Sequence, residues 1–120
     1  MEDSILITIK KMLGLAPEYT PFDTDVIVHI NTYLMVLNQL GVGVDGFTID
    51  DESATWADFL SERSASEQMV KTYLYLRVRM VFDPPTSSIL SQAIKENVDE
   101  LGWRLREGVE YNEINGIHSL

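Results

Sequence analysis

The sequence predicts an all-α domain: a small bundle of four main helices, a short helix within a long connection, and an extended C-terminal arm. Three observations carry this reading. Apolar residues recur at three- and four-residue steps in four long segments. A glycine or a proline pair closes each of those segments. Only one short stretch, Phe47-Thr48-Ile49, reads as extended.

The first segment, Ser4 to Leu13, places Ile5, Leu6, Ile9, Met12 and Leu13 on one helical face, with Lys10 and Lys11 late, where they suit the helix dipole; Gly14 ends it. After the proline-punctuated linker Ala16 to Pro21, Asp23 or Thr24 offers an N-cap for a helix carrying Val26, Ile27, Ile30, Tyr33, Leu34, Leu37 and Leu40, closed by Gly41. A long connection follows. Within it Thr55-Trp56-Ala57-Asp58 has the form of a capping box and starts a short helix through Leu60. Ser64-Ala65-Ser66-Glu67 repeats that device and opens a helix through Met69, Val70, Tyr73, Leu74, Arg77, Met80 and Val81, which Asp83-Pro84-Pro85 stops. Thr86, Ser87 and Ser88 supply caps for the last long helix, with Leu90, Ile94, Val98 (or Asn97), Leu101 and Leu105 in its stripe and Gly108 at its end. Residues 1–107 therefore read as a helical domain and 108–120 as an arm whose Tyr111, Ile114 and Ile117 follow no consistent period.

One domain fits 120 residues, and a hydrophobic content of 45% is enough to fold it despite 9 Lys+Arg against 19 Asp+Glu and a formal net charge of −10. With no cysteine, disulfide scaffolds, zinc ribbons and thiol nucleophiles are excluded. Apolar stretches are interrupted every few residues and the first residues are acidic, so neither a membrane span nor an export signal is expected, and the protein reads as cytosolic to the cell that makes it. The acidic balance argues against general attraction to DNA or anionic lipid.

Asp23, Asp25 and His29 can be written as a metal or general-base set, although helix capping and a surface pair account for the same residues. Asp50-Asp51-Glu52 lacks the ligand spacing of a calcium loop, Gly41-Val42-Gly43 follows a helix instead of opening one, and Ser87, Ser88 and Ser91 have no base nearby. No catalytic set emerges, and no cofactor or metal is expected. Two features remain. The second helix carries Val28, Met35 and Val36 beside its main stripe, and Tyr73 to Phe82 is apolar nearly all round; such helices want burial on two sides. Val28 and Met35, with Arg77 and Arg79, are accordingly the candidate subunit-interface residues. From Asp45 to Glu62 the chain has six carboxylates, Asp45, Asp50, Asp51, Glu52, Asp58 and Glu62, and no basic residue. Basic residues concentrate on helices, at Lys71, Arg77, Arg79, Lys95, Arg104 and Arg106, where they could pair with a neighbour's acids.

Taken in order, Ser4 to Gly14, Tyr19-Thr20-Pro21-Phe22-Asp23-Thr24-Asp25, Leu37-Asn38-Gln39-Leu40-Gly41-Val42-Gly43, Thr55-Trp56-Ala57-Asp58-Phe59, and Val70 to Arg77 through Phe82-Asp83-Pro84-Pro85 resemble the small head-tail connector (head completion or adaptor) proteins of long-tailed, siphovirus-type bacteriophages. The resemblance covers about residues 4 to 106. It implies a non-enzymatic structural subunit of a ring that docks beneath the portal, matches its twelve-fold symmetry, and extends the DNA channel toward the tail at the head-tail junction of the virion. The implied partners are other copies of itself, the portal, and the next connector or tail-completion protein, with DNA only as passing cargo and no membrane. On this reading Asp45, Asp50, Asp51 and Glu52 face the lumen or its rim, where they would keep DNA from sticking, and Tyr111, Ile114 and Ile117 dock the arm on the portal or a neighbour. Two other classes compete: a monomeric acidic inhibitor or DNA mimic that occupies a basic partner's groove, and a small hydrolase built on Asp23, Asp25 and His29.

Overall fold

The computed structural model describes the backbone of residues 3–61 and 66–118, and the side chains of these as far as Gly108. Five helices follow one another: α1 (Ile5–Met12), α2 (Asp23–Gln39), α3 (Trp56–Leu60), α4 (Glu67–Phe82) and α5 (Ser88–His118). Among the described residues the only β pairing is a single bridge between Ser4 and Thr55, so the expected strand at Phe47-Thr48-Ile49 does not form. Its apolar content is buried differently. Asn31 on α2 donates to the Ile49 carbonyl at 3.0 Å and accepts from the Ile49 amide at 2.8 Å, pinning the fully buried Ile49 side chain to the core without a partner strand.

Local chemistry sets most helix starts. Ser4 caps α1, and Thr55 and Asp58 form the expected capping box at α3. α4 is capped by Ser66, not by the Ser64 of the sequence reading, which lies outside the described residues; the Ser66 hydroxyl accepts from the Met69 amide at 3.3 Å. Ser87 does the same for Leu90 at the start of α5. α2 departs from expectation. Neither Asp23 nor Thr24 caps it; the N-cap is Phe22, without a side-chain hydrogen bond, because the Asp23 carboxylate is drawn inward to Lys10.

α4 is the central helix, packed against α1, α2 and α5, which accounts for its apolar circumference. Val70, Tyr73, Leu74 and Val78 meet Ile5 and Ile9 from α1, Ile30, Leu34 and Leu37 from α2, and Ile94, Val98 and Leu105 from α5 in one core. Trp56 from α3 closes one end, its indole N–H donating to Thr8 at 3.1 Å so that no polar atom is stranded. Of the two candidates for the last stripe, Val98 is buried and Asn97 is exposed, and Leu90 stays largely outside.

The largest departure is at the C-terminus. α5 does not stop at Gly108 but continues to His118, so the segment expected as an extended arm prolongs the helix. A glycine in a helix interior costs only about 1 kcal/mol relative to alanine, too little to end a helix already running. α5 has 31 residues and spans roughly 46 Å at 1.5 Å per residue, close to the 50 Å long axis of the whole molecule. It projects past Leu105, the last of its described buried residues.

Candidate assembly surfaces

α2 has three distinct working sides around its core row of Val26, Ile30, Leu34 and Leu37. At about 100° per residue, Asn31 and Asn38 share one flank, Tyr33 and Leu40 the other, and Val28 and Met35 point away from the core. The first flank holds the long connection: Asn31 clamps Ile49, and the Asn38 amide donates to the Val42 and Val44 carbonyls at 2.8 and 3.1 Å. The outward side is bare, with Val28 and Met35 each 56% exposed. α5 shows the same pattern. Ile89 and Trp103, fourteen positions apart and thus on nearly the same side, are 84% and 62% exposed opposite the row Ile94, Val98, Leu101 and Leu105. Ile89 and Trp103 were not among the sequence candidates, because only the tertiary partner reveals which side of α5 is left over.

Arg77 and Arg79, paired with Val28 and Met35 in the sequence reading, sit elsewhere. Arg77 lies 5.4 Å from the ring centroids of both Tyr33 and Tyr73 and donates from Nε to the Tyr73 hydroxyl at 3.1 Å. Arg79 donates to the Tyr75 hydroxyl at 3.4 Å. Arg77 thus meets the Tyr33 flank of α2, not the side that carries Val28 and Met35.

Asp45, Asp50, Asp51, Glu52 and Asp58 are all exposed on the long connection, whereas Glu62 lies outside the described residues. The Asp51 carboxylate accepts from both the hydroxyl and the amide of Ser53, which holds its pKa below the ordinary aspartate value. The side chains of Tyr111, Ile114 and Ile117 also lie outside what is described.

Asp23, Asp25 and His29 do not form a set. Asp23 is committed to Lys10 at 2.8 Å, a lysine only 1% exposed whose burial the sequence did not signal. Asp25 and His29 border an open cleft with Leu13, Leu15, Phe22 and Phe82. No group of three or more histidine and carboxylate side chains among the described residues is placed to hold a metal ion. Nor is any described helix long and apolar enough to cross a membrane.

α4 packs against α1, α2 and α5, and two of those three helices, α2 and α5, also carry exposed apolar side chains on the side away from the core. A family model described as "Phage connector protein" matches residues 5–112. The chain belongs to the phage connector protein family. Neither among curated proteins nor among solved structures is there a significant match to this connector. The family is structural, and a connector works in assembly with other head and tail proteins of a bacteriophage. The helical body of this connector, from α1 through the first six turns of α5, falls inside the match.

The acidic connection of the connector carries a pH signature. A depressed carboxyl pKa contributes stability that is present above the unfolded-state value and is lost as pH falls through the folded one. Ser53→Ala should therefore move the Asp51 carboxyl up toward the ordinary aspartate value in an NMR titration. An unchanged Asp51 titration would show that the Ser53 hydroxyl does not hold it and that the backbone amide alone does.

Proposed function

We propose that this connector assembles as a closed ring beneath the portal and lengthens the DNA channel toward the tail, at the head-tail junction of the virion. Besides family membership, the observation that carries the reading is the pair of outward apolar sides, Val28 with Met35 on α2 and Ile89 with Trp103 on α5. A monomer gains nothing by leaving large apolar side chains in water on two separate helices, whereas a heterologous ring needs two different patches per subunit. Twelve copies would match the portal. The end of α5, with Tyr111, Ile114 and Ile117, docks on the portal or on a neighbouring subunit; the continuation of the helix past Gly108 to His118 supports that role. DNA passes through without being held.

Electron microscopy of portal-bearing heads with and without the protein tests this. An added ring below the portal is expected, and truncation after Glu107 should leave a folded bundle that no longer attaches. A protein that stays monomeric at high concentration and never co-purifies with portal-bearing heads would instead favour an acidic inhibitor of a basic partner.

A further inference from the structure

On α5, Lys95, Asp99 and Arg106 lie four and seven positions apart and share the flank beside the buried row. Together with Tyr33 of α2 and Arg77 of α4 they line a continuous groove, in two sections of about 300 and 280 Å³ that have Arg77, Val98 and Asp99 in common; Trp103 stands at its far end. Its charged groups are three cations against the one carboxylate of Asp99. Among the described residues Lys10, Lys71 and Arg104 each pair with a carboxylate, but Arg77, Lys95 and Arg106 do not. A chain with a formal net charge of −10 thus keeps a cationic groove with aromatic walls unneutralised.

The complementary feature lies on the same chain. From Met12 to Glu62 there is no lysine or arginine, and Asp50, Asp51 and Glu52 are consecutive and exposed in the long connection. This acidic knuckle is held in place, by the Asn31–Ile49 clamp on one side and by Ser53 on the other, so that little ordering entropy is lost when it engages a partner. A single chain does not bring the two together. Asn31, which holds the knuckle, and Tyr33, which lines the groove, are two positions apart on α2 and hence about 200° apart around it. Knuckle and groove face different ways, as the two sides of a head-to-tail contact must.

We propose that the Asp50-Asp51-Glu52 knuckle of one subunit seats in the Arg77, Lys95 and Arg106 groove of the next copy of this chain. The proposal rests on the ring reading above and identifies the seam of that ring. The competing location for the knuckle is the lumen wall, where it would face DNA and leave the groove empty. Charge complementarity favours the seam, because it pairs the unneutralised cations with the densest run of acids and selects one orientation over its reverse.

The test uses exposed residues outside the core and leaves Arg77, which is packed between two tyrosines, untouched. One variant reverses the knuckle, Asp50→Lys with Asp51→Lys and Glu52→Lys; a second reverses the groove, Lys95→Glu with Arg106→Glu. Circular dichroism and urea unfolding establish that each is folded, and ring yield is read by electron microscopy and sedimentation, alone and on portal-bearing heads. Each variant should lower ring yield at least tenfold. The chain carrying all five substitutions, whose positive knuckle meets a negative groove, should recover it, as should an equal mixture of the two variants. Wild-type yield from both single-surface variants would move the knuckle to the lumen or the outer wall and overturn the seam while leaving the ring in place. Loss that the five-substitution chain does not restore would overturn it too. Absence of rings from the wild-type protein on portal-bearing heads would remove the ring reading itself, and the seam with it.

Discussion

Replacing Asp23 by alanine should destabilise the protein by about 3 kcal/mol, the lower end of the range for a buried ion pair that loses one partner. Lys10 is the reason. Its side chain is almost wholly enclosed, with Nζ 2.8 Å from the Asp23 carboxylate and 2.8 Å from the Pro17 carbonyl. Without the carboxylate, the ammonium group is left in the interior with one neutral acceptor. Asp23 is itself partly solvent-accessible, so its removal strands one charge and not two. The pair also ties the end of α1 to the start of α2 across the proline-rich linker. Asp25→Ala is the control, since Asp25 shares the first turn of α2 but is exposed; it should cost no more than the dipole contribution of about 0.3–1 kcal/mol. Combining Lys10→Met with Asp23→Ala should return stability to within about 1 kcal/mol of wild type, because an apolar side chain of similar length needs no counter-charge. Urea unfolding with an unchanged m-value is the measurement. A loss below about 1 kcal/mol for Asp23→Ala would mean that water already solvates Lys10.

Gly43→Ala should be as damaging, for a steric reason. Gly43 has φ +79°, in the left-handed region, and a Cβ built there would lie 2.3 Å from Cζ of Phe59 and 2.4 Å from its Cε1. Phe59 is fully buried and packed against Phe47, with ring centroids 5.4 Å apart and planes tilted by 56°, so it has nowhere to retreat. The backbone conformation contributes about 1 kcal/mol and the forced repacking a further 1–3 kcal/mol. Gly14 separates the two contributions. It has a similar φ of +84° but no atom within 4 Å of its would-be Cβ, so Gly14→Ala should show the backbone part alone. Equal midpoints for the two variants in thermal or urea unfolding would show that the Phe59 ring gives way.

Helix identity and order were legible in the sequence because they rest on interactions within a few residues: the Ser4 cap, the Thr55–Asp58 box, and the stop at Asp83-Pro84-Pro85. Errors arose where a local signal had a distant competitor. Asp23 reads as a cap, but a buried ammonium on another helix outbids the amides of its own first turn. Phe47-Thr48-Ile49 reads as a strand, yet its carbonyl and amide are satisfied by one asparagine eighteen positions earlier. Gly108 reads as a terminator, though its penalty is small against the cooperativity of a helix already formed.

The candidate surfaces divide in the same way. Composition and periodicity alone determined an acidic, cysteine-free helical protein with more apolar surface than one core needs, and the order of its segments was enough to suggest the family. Val28 and Met35 were visible as surplus because they fall outside the stripe of α2. That Arg77 is enclosed by two tyrosines was decided only by the packing of α2 on α4, and that Lys95 and Arg106 share a groove with it and that Ile89 and Trp103 are left bare only by the packing of α5 on α4. Periodicity fixes which residues of a helix share a side, but which side faces a neighbour depends on contacts between segments far apart in the chain.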